Sequence, residues 1–252
     1  MKLVQTREEA QHLLKCFQHP HFANVKNYIT VVETDPEWVR QILPAPLEPT
    51  EPIVSFAMSE GDQFHGLVTG VNCRFGDIHG SFGIAYMMDT DLACIFGREG
   101  LGEPKKLGIT STAVKDGVFT GSVSRFGQEL VHVEAKVIGP GKESMVDPVM
   151  HNFHFKYAIK ADGTGLTDID LIDSRFDNKV TDVTLMEPTK FELTASPMDV
   201  YGEIPVKKVV GCLSAMFDMT GSAEYLAKVD EEGFLPYAFY KHDDYRLTMD
   251  VQ

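Results

Sequence analysis

The stretch ELVHVEAKVIG, residues 129–139, sets Leu130, His132, Glu134 and Lys136 against Val131, Val133, Ala135 and Val137. A period of two belongs to a β-strand, whose successive side chains point to opposite faces, so this strand has one apolar and one polar side. The same alternation returns in NFHFKYAIK (152–160), with Phe153, Phe155 and Tyr157 on one side. YITVVE (28–33), IVSFAM (53–58), SFGIAYMM (81–88), LACIFG (92–97) and VFTGSVSRF (118–126) are apolar and partly β-branched, and read as strands. After the turn ADGTG (161–165), DIDLIDSRF and KVTDVTLME (168–187) read as a further pair.

Helical signals are few and lie mainly towards the ends. Thr6 and Glu9 form a capping box ahead of a short amphipathic helix over 6–17. Asp35 caps DPEWVRQILP (35–44), and SAEYLAKVDEE (222–232) has the composition of a short helix. PAPLEPTEP (44–52), with four prolines in nine residues, is expected to be a rigid connector, and LPYAFYKHDDY (235–245) is aromatic and irregular. Without a linker or repeat, this order predicts a mainly β, largely antiparallel domain curled into a barrel or cone, with a few peripheral helices, spanning 1–252.

The 252 residues carry 23 Lys and Arg against 37 Asp and Glu, a formal charge of −14. An acidic chain has no basic face with which to displace counterions, so nucleic-acid binding is not expected. No apolar stretch reaches the roughly 20 residues that span a bilayer as a helix. The four cysteines form no CxxC pair, and Arg7, Glu8 and Glu9 interrupt any signal-like apolar core, so free thiols and a cytoplasmic location are expected. His19/His21 and His151/His154 lack the spacing of a metal motif, and no metal is expected.

GREGLGEPKKLG (97–108) carries the chemical signal. Its glycines fit neither a Walker loop nor the dinucleotide fingerprint. Lys105 and Lys106 stand together behind an apolar segment, where desolvation and like-charge repulsion would both favour a neutral amine. A neutral amine is what attack on a ketone carbonyl requires. Glu103, two residues earlier, could form an ion pair with Lys105.

The segment Gly97-Arg98-Glu99 followed by Pro104-Lys105-Lys106-Leu107-Gly108 resembles the active-site loop of the acetoacetate decarboxylase family. Residues 28–56, 179–193 and 198–210 are similar to further family segments in the same order, so the resemblance covers roughly 22–215. It implies a cone-like antiparallel β-barrel, a homo-oligomer, and a lysine Schiff base with a small β-keto acid, using no cofactor. Lys105 would be the nucleophile, Lys106 the neighbour that lowers its proton affinity, and Arg98 and Glu99 loop supports. The family's Arg and two Glu partners have no counterpart: Val25 and Ala57 occupy two of the positions, and 61–70 holds Phe64, His65 and Gly66 where the second Glu is expected. Glu103, His65 and Phe64 are therefore the substrate-binding candidates, with Glu60 and Asp62 as further acids. Decarboxylation is the leading expectation. Aldol-type condensation or dehydration on the same lysine is the first alternative, and a non-catalytic barrel anchoring an anion on Lys105 the second.

Overall fold

The computed structural model describes residues 2–249. Its strands are β1 (His21–Glu33), β2 (Glu48–Glu60), β3 (His65–Phe75), β4 (Ile78–Met88), β5 (Lys105–Leu107), β6 (Ile109–Lys115), β7 (Val118–Arg125), β8 (Gln128–Pro140), β9 (Val149–Ile159), β10 (Leu166–Leu193) and β11 (Lys208–Lys228). The helices are α1 (Arg7–Gln18), α2 (Pro36–Ile42), α3 (Asp91–Leu101) and the four-residue α4 (Glu231–Phe234). The fold is mainly β, as expected. All eleven strands belong to one sheet, in the order β11-β1-β2-β3-β4-β9-β10-β8-β7-β6, with β5 added beside β4. Because β10 also pairs with β11, seven of these strands close into a ring. Pairing is antiparallel except for β4 with β5 and β4 with β9.

β8 bears out the alternation: Val131, Val133 and Ala135 are buried, while Lys136 is exposed. Its apolar side contributes to a core that also takes Phe56, Leu67, Phe119, Phe153 and Phe155. Thr6 and Glu9 close the capping box of α1, and Asp35 accepts from the backbone of Glu37 and Trp38 at the start of α2.

Four local expectations are corrected. LACIFG is helix, not strand. Thr90 accepts from Ala93 N as N-cap, and Cys94, Gly97 and Leu101 fall on one buried helical face while Leu92 and Ile95 stay exposed. The expected pair of strands in 168–187 is part of one 28-residue strand, bent at a bulge between Thr181 and Thr184, where Asp182 has φ 51°. The proline-rich connector already contains the start of β2, which pairs Glu48 and Pro49 with Arg74 and Cys73. SAEYLAKVDEE is mostly the end of β11, because ladder pairing of Ser222–Lys228 with Asp170–Arg175 overrides a modest helix propensity.

α3 ends at Gly102, which has φ 72° and donates to the carbonyls of Arg98 and Gly97. A Cβ there would lie 2.7 Å from Lys156 Cα and Phe155 O, both backbone atoms that cannot step aside. Gly102→Ala is therefore expected to destabilise the fold by about 2 kcal/mol or more, read from urea unfolding.

Candidate active site

β5 is three residues long and orients the site. Lys105 pairs in register with Tyr86 and Lys106 with Met87, and neighbours along a strand face opposite ways. One row runs Lys105, Tyr86, Val68, Ala57, Ile29 across β5, β4, β3, β2 and β1. The other runs Lys106, Met87, Leu67, Met58, Tyr28 and enters the main core. Beside Lys105 lies a smaller cluster of Tyr86, Met88 and Cys94, with Phe64, Val68 and Ala93 packed on it.

Lys105 Nζ is 2.6 Å from Glu103 Oε2, and the two side chains are 14% and 7% exposed. The contact is bent out of hydrogen-bond alignment, so Oε2 is a buried acceptor without a well-aligned donor. Gly97 makes the room on the buried face of α3. A Cβ there would collide with Glu103 Oε2 and come within 2.7 Å of Lys105 Nζ.

A second polar chain borders this pair. Tyr86 OH lies 3.0 Å from His154 Nε2, and Ser174 Oγ lies 3.4 Å from His154 Nδ1. Burial lowers the His154 imidazole to about 4, with Glu103 opposing and Lys105 and Lys241 adding to the shift. The ring is therefore neutral near pH 7, with one nitrogen a donor and the other an acceptor between the Tyr86 and Ser174 hydroxyls. Burial, reinforced by the Glu103 carboxylate, pushes the Tyr86 phenol well above its ordinary value.

Lys106 has a different environment. Its Nζ donates to Met198 O at 2.7 Å and lies 3.3 Å from both Asp199 and Asp243. Arg125 bridges the same two carboxylates. Burial alone would raise the Asp243 carboxyl, but the Arg125 guanidinium holds it below its ordinary value. The expectation that Lys106 repels Lys105 is thus corrected by strand geometry: the ammoniums face apart, and two aspartates answer Lys106. Lys106 ties β5 to the loop before β11 and to the C-terminal segment.

The Arg98 guanidinium donates to the carbonyls of Lys105 at 3.0 Å and Lys241 at 2.7 Å. Glu99 is exposed and makes no comparable tie. Of the substrate-binding candidates, Glu103 and Phe64 stand on the Lys105 side, whereas exposed His65 pairs with Asp89 at 3.0 Å. Glu60 is engaged by Thr112 and Tyr28, and Asp62 is exposed. Ala57 lies in the Lys105 row. Gly66, in the next row, has no space for an acid, since a Cβ would sit 2.7 Å from Met87 O and Met88 Sδ. Tyr86, His154 and Ser174 were missed, although the alternation of 152–160 already sets His154 opposite the aromatic face. The partners of Lys106 at Asp199 and Asp243 left no signal in the sequence.

Two outcomes follow. Lys106→Met leaves the buried Asp199 and the partly exposed Asp243 sharing one guanidinium, and is expected to cost about 3 kcal/mol in urea unfolding. The folded-state value of His154 is below the 6.5 of a free imidazole, so its stabilising contribution is complete above pH 6.5 and is lost as pH falls towards 4. His154→Gln should lose less stability than the parent between those pH values.

The family model for acetoacetate decarboxylase matches residues 6–229, a wider span than the sequence resemblance suggested. Acetoacetate decarboxylase of Clostridium acetobutylicum is 26% identical over 214 residues, covering 79% of this chain and 84% of its own. Acetoacetate decarboxylase 1 of Bradyrhizobium diazoefficiens is 28% identical over 225 residues, covering 82% and 88%. Among solved structures, acetoacetate decarboxylase from Legionella pneumophila matches with a TM-score of 0.76 at 22% identity, over 84% of this chain and 88% of that one. The enduracididine biosynthesis enzyme MppR, complexed with pyruvate, matches at 0.66 and 15%, over 82% and 90%. These structural likenesses are of fold, but the family model spans nearly the whole described sheet: the chain belongs to the acetoacetate decarboxylase family.

Proposed function

We propose that the protein is a lysine-imine lyase acting on a β-keto acid, with Lys105 as nucleophile and Glu103 as proton carrier. The observation that carries this reading is a half-buried primary amine 2.6 Å from a buried carboxylate, at the end of a row continued by Val68 and Ala57. Glu103 is the base within reach to take a proton from the ammonium. Lys105 then adds to the ketone. Glu103 returns the proton to the departing hydroxyl, which leaves as water, and an iminium remains. The bond to the carboxylate carbon breaks, its electron pair passes to the iminium nitrogen, and CO2 departs from an enamine. A second proton, taken up from solvent through Glu103, goes to the enamine carbon. Water then releases the ketone and restores Lys105. Apolar walls leave the substrate carboxylate poorly hydrated, which favours loss of CO2.

A second reading draws on the same walls. Val68, Ala57 and Ile29 offer no cation to hold a substrate carboxylate, and an imine formed at Lys105 can also lead to aldol-type condensation or dehydration. Incubation with a panel of keto acids, borohydride reduction and peptide mass spectrometry test both readings. An adduct on Lys105 with CO2 release is the expected result. An adduct without CO2 moves the reaction to the second reading, and no adduct with any keto compound makes the chain a non-catalytic binder. Glu103→Gln should slow adduct formation by about 100-fold with the fold intact.

A further inference from the structure

A cavity of about 890 Å³ opens between α3, β9, β10, β11 and the segment after α4, apart from the Lys105–Glu103 pair. Arg98, Lys156 and Lys241 reach its wall. Each donates its hydrogen bonds to backbone carbonyls. Arg98 donates to Lys105 O and Lys241 O, Lys156 to Gly100 O at 3.0 Å, and Lys241 to Phe155 O at 3.2 Å. Among the described residues none of the three has a carboxylate at ion-pairing distance. Lys241 is only 5% exposed, and its ammonium lies 3.6 Å from the centroid of the Tyr157 ring.

In a chain with a formal charge of −14, three such cations on one wall are unexpected. A buried ammonium without a counter-ion is costly, and one carbonyl or one ring face offsets only part of that cost. The nearby acids do not supply the balance. Asp168 and Asp170 are engaged by Lys228 at 3.6 and 3.0 Å, and Glu99 acts on Lys241 only at longer range. His242 adds no charge near neutrality, since burial, with Arg98 adding, lowers it to about 4.

We propose that this cavity binds a small organic anion through a carboxylate or phosphate group, with Lys241, Lys156 and Arg98 around the anionic end. Ile159, Leu226 and the Tyr157 ring offer apolar surface to the body of the ligand. The volume falls within the usual range of small-molecule sites. The same Arg98 guanidinium holds the Lys105 carbonyl, so an anion drawing on Arg98 bears on the strand that orients Lys105. The site thus couples ligand binding to the loop without sharing the amine that reacts.

Protonation gives the site a signature. Burial, with Arg98 adding and Glu99 opposing, lowers the Lys241 ammonium to about 7. A bound anion favours the charged form, so binding above pH 7 takes up a proton and affinity falls as pH rises.

Isothermal calorimetry at about pH 7.5, with inorganic phosphate and separately with succinate, in buffers of differing ionisation enthalpy, tests this. One saturable site per chain with proton uptake is expected, and the tighter anion identifies the preferred head group. Lys241→Met should weaken binding about tenfold and abolish the uptake, Lys156→Gln should weaken it about threefold, and Lys190→Met, which removes a lysine paired with Glu192 outside the cavity, should change it by less than about twofold. Absence of saturable binding for both anions, or equal weakening by all three variants, overturns the proposal. If Lys241→Met does not fold, the contrast between Lys156→Gln and Lys190→Met decides. None of these readouts depends on imine formation at Lys105.

Discussion

A strand carrying two adjacent lysines must send one ammonium to each face, and the rest of the site depends on that division. Lys106 enters a core-side cluster in which Asp199, Asp243 and Arg125 balance its charge almost completely. That cluster fixes β5 against the loop before β11 and the C-terminal segment. Lys105, on the opposite face, meets one carboxylate and a largely apolar wall. The two lysines are adjacent in sequence and chemically unlike because the pleat separates them.

The charges of this acidic protein are therefore sorted by partner. Lys106 and Arg125 have carboxylates and act as mortar. Lys105 has a single carboxylate whose alignment leaves an acceptor open, an arrangement suited to moving a proton rather than locking a pair. Lys241, Lys156 and Arg98 have carbonyls and, for Lys241, the face of the Tyr157 ring. Arg98 belongs to both regions, holding the Lys105 and Lys241 carbonyls with one guanidinium.

The apolar positions tell the same story from the other side. Ala57 and Gly66 face the Lys105 side without a charged group, and at Gly66 the packing of Met88 leaves no space for one. The carboxylate that meets Lys105 is Glu103, bordered by the neutral Tyr86–His154–Ser174 chain. Glu103 reaches Lys105 only because Gly97 removes a side chain from the buried face of α3.

Alternation in 129–139 and 152–160, and the caps at Thr6 and Asp35, are local properties, and each was legible in the sequence because each depends on residues within one or two turns. The lysine pair and its resemblance were legible for the same reason. LACIFG and SAEYLAKVDEE misled because short apolar or helix-forming runs take the conformation that their partners allow. One lacks a strand beside it, and the other is zipped onto β10. The sequence by itself determined the strand period, the helix caps and the placing of an amine close to a carboxylate at Lys105 and Glu103. Only the tertiary structure decided which face each lysine occupies, that Asp199 and Asp243 answer Lys106, and that Lys241 joins Arg98 across 143 positions of chain. Those outcomes depend on through-space distances between segments remote in sequence, and Coulombic and packing forces act on distance in space.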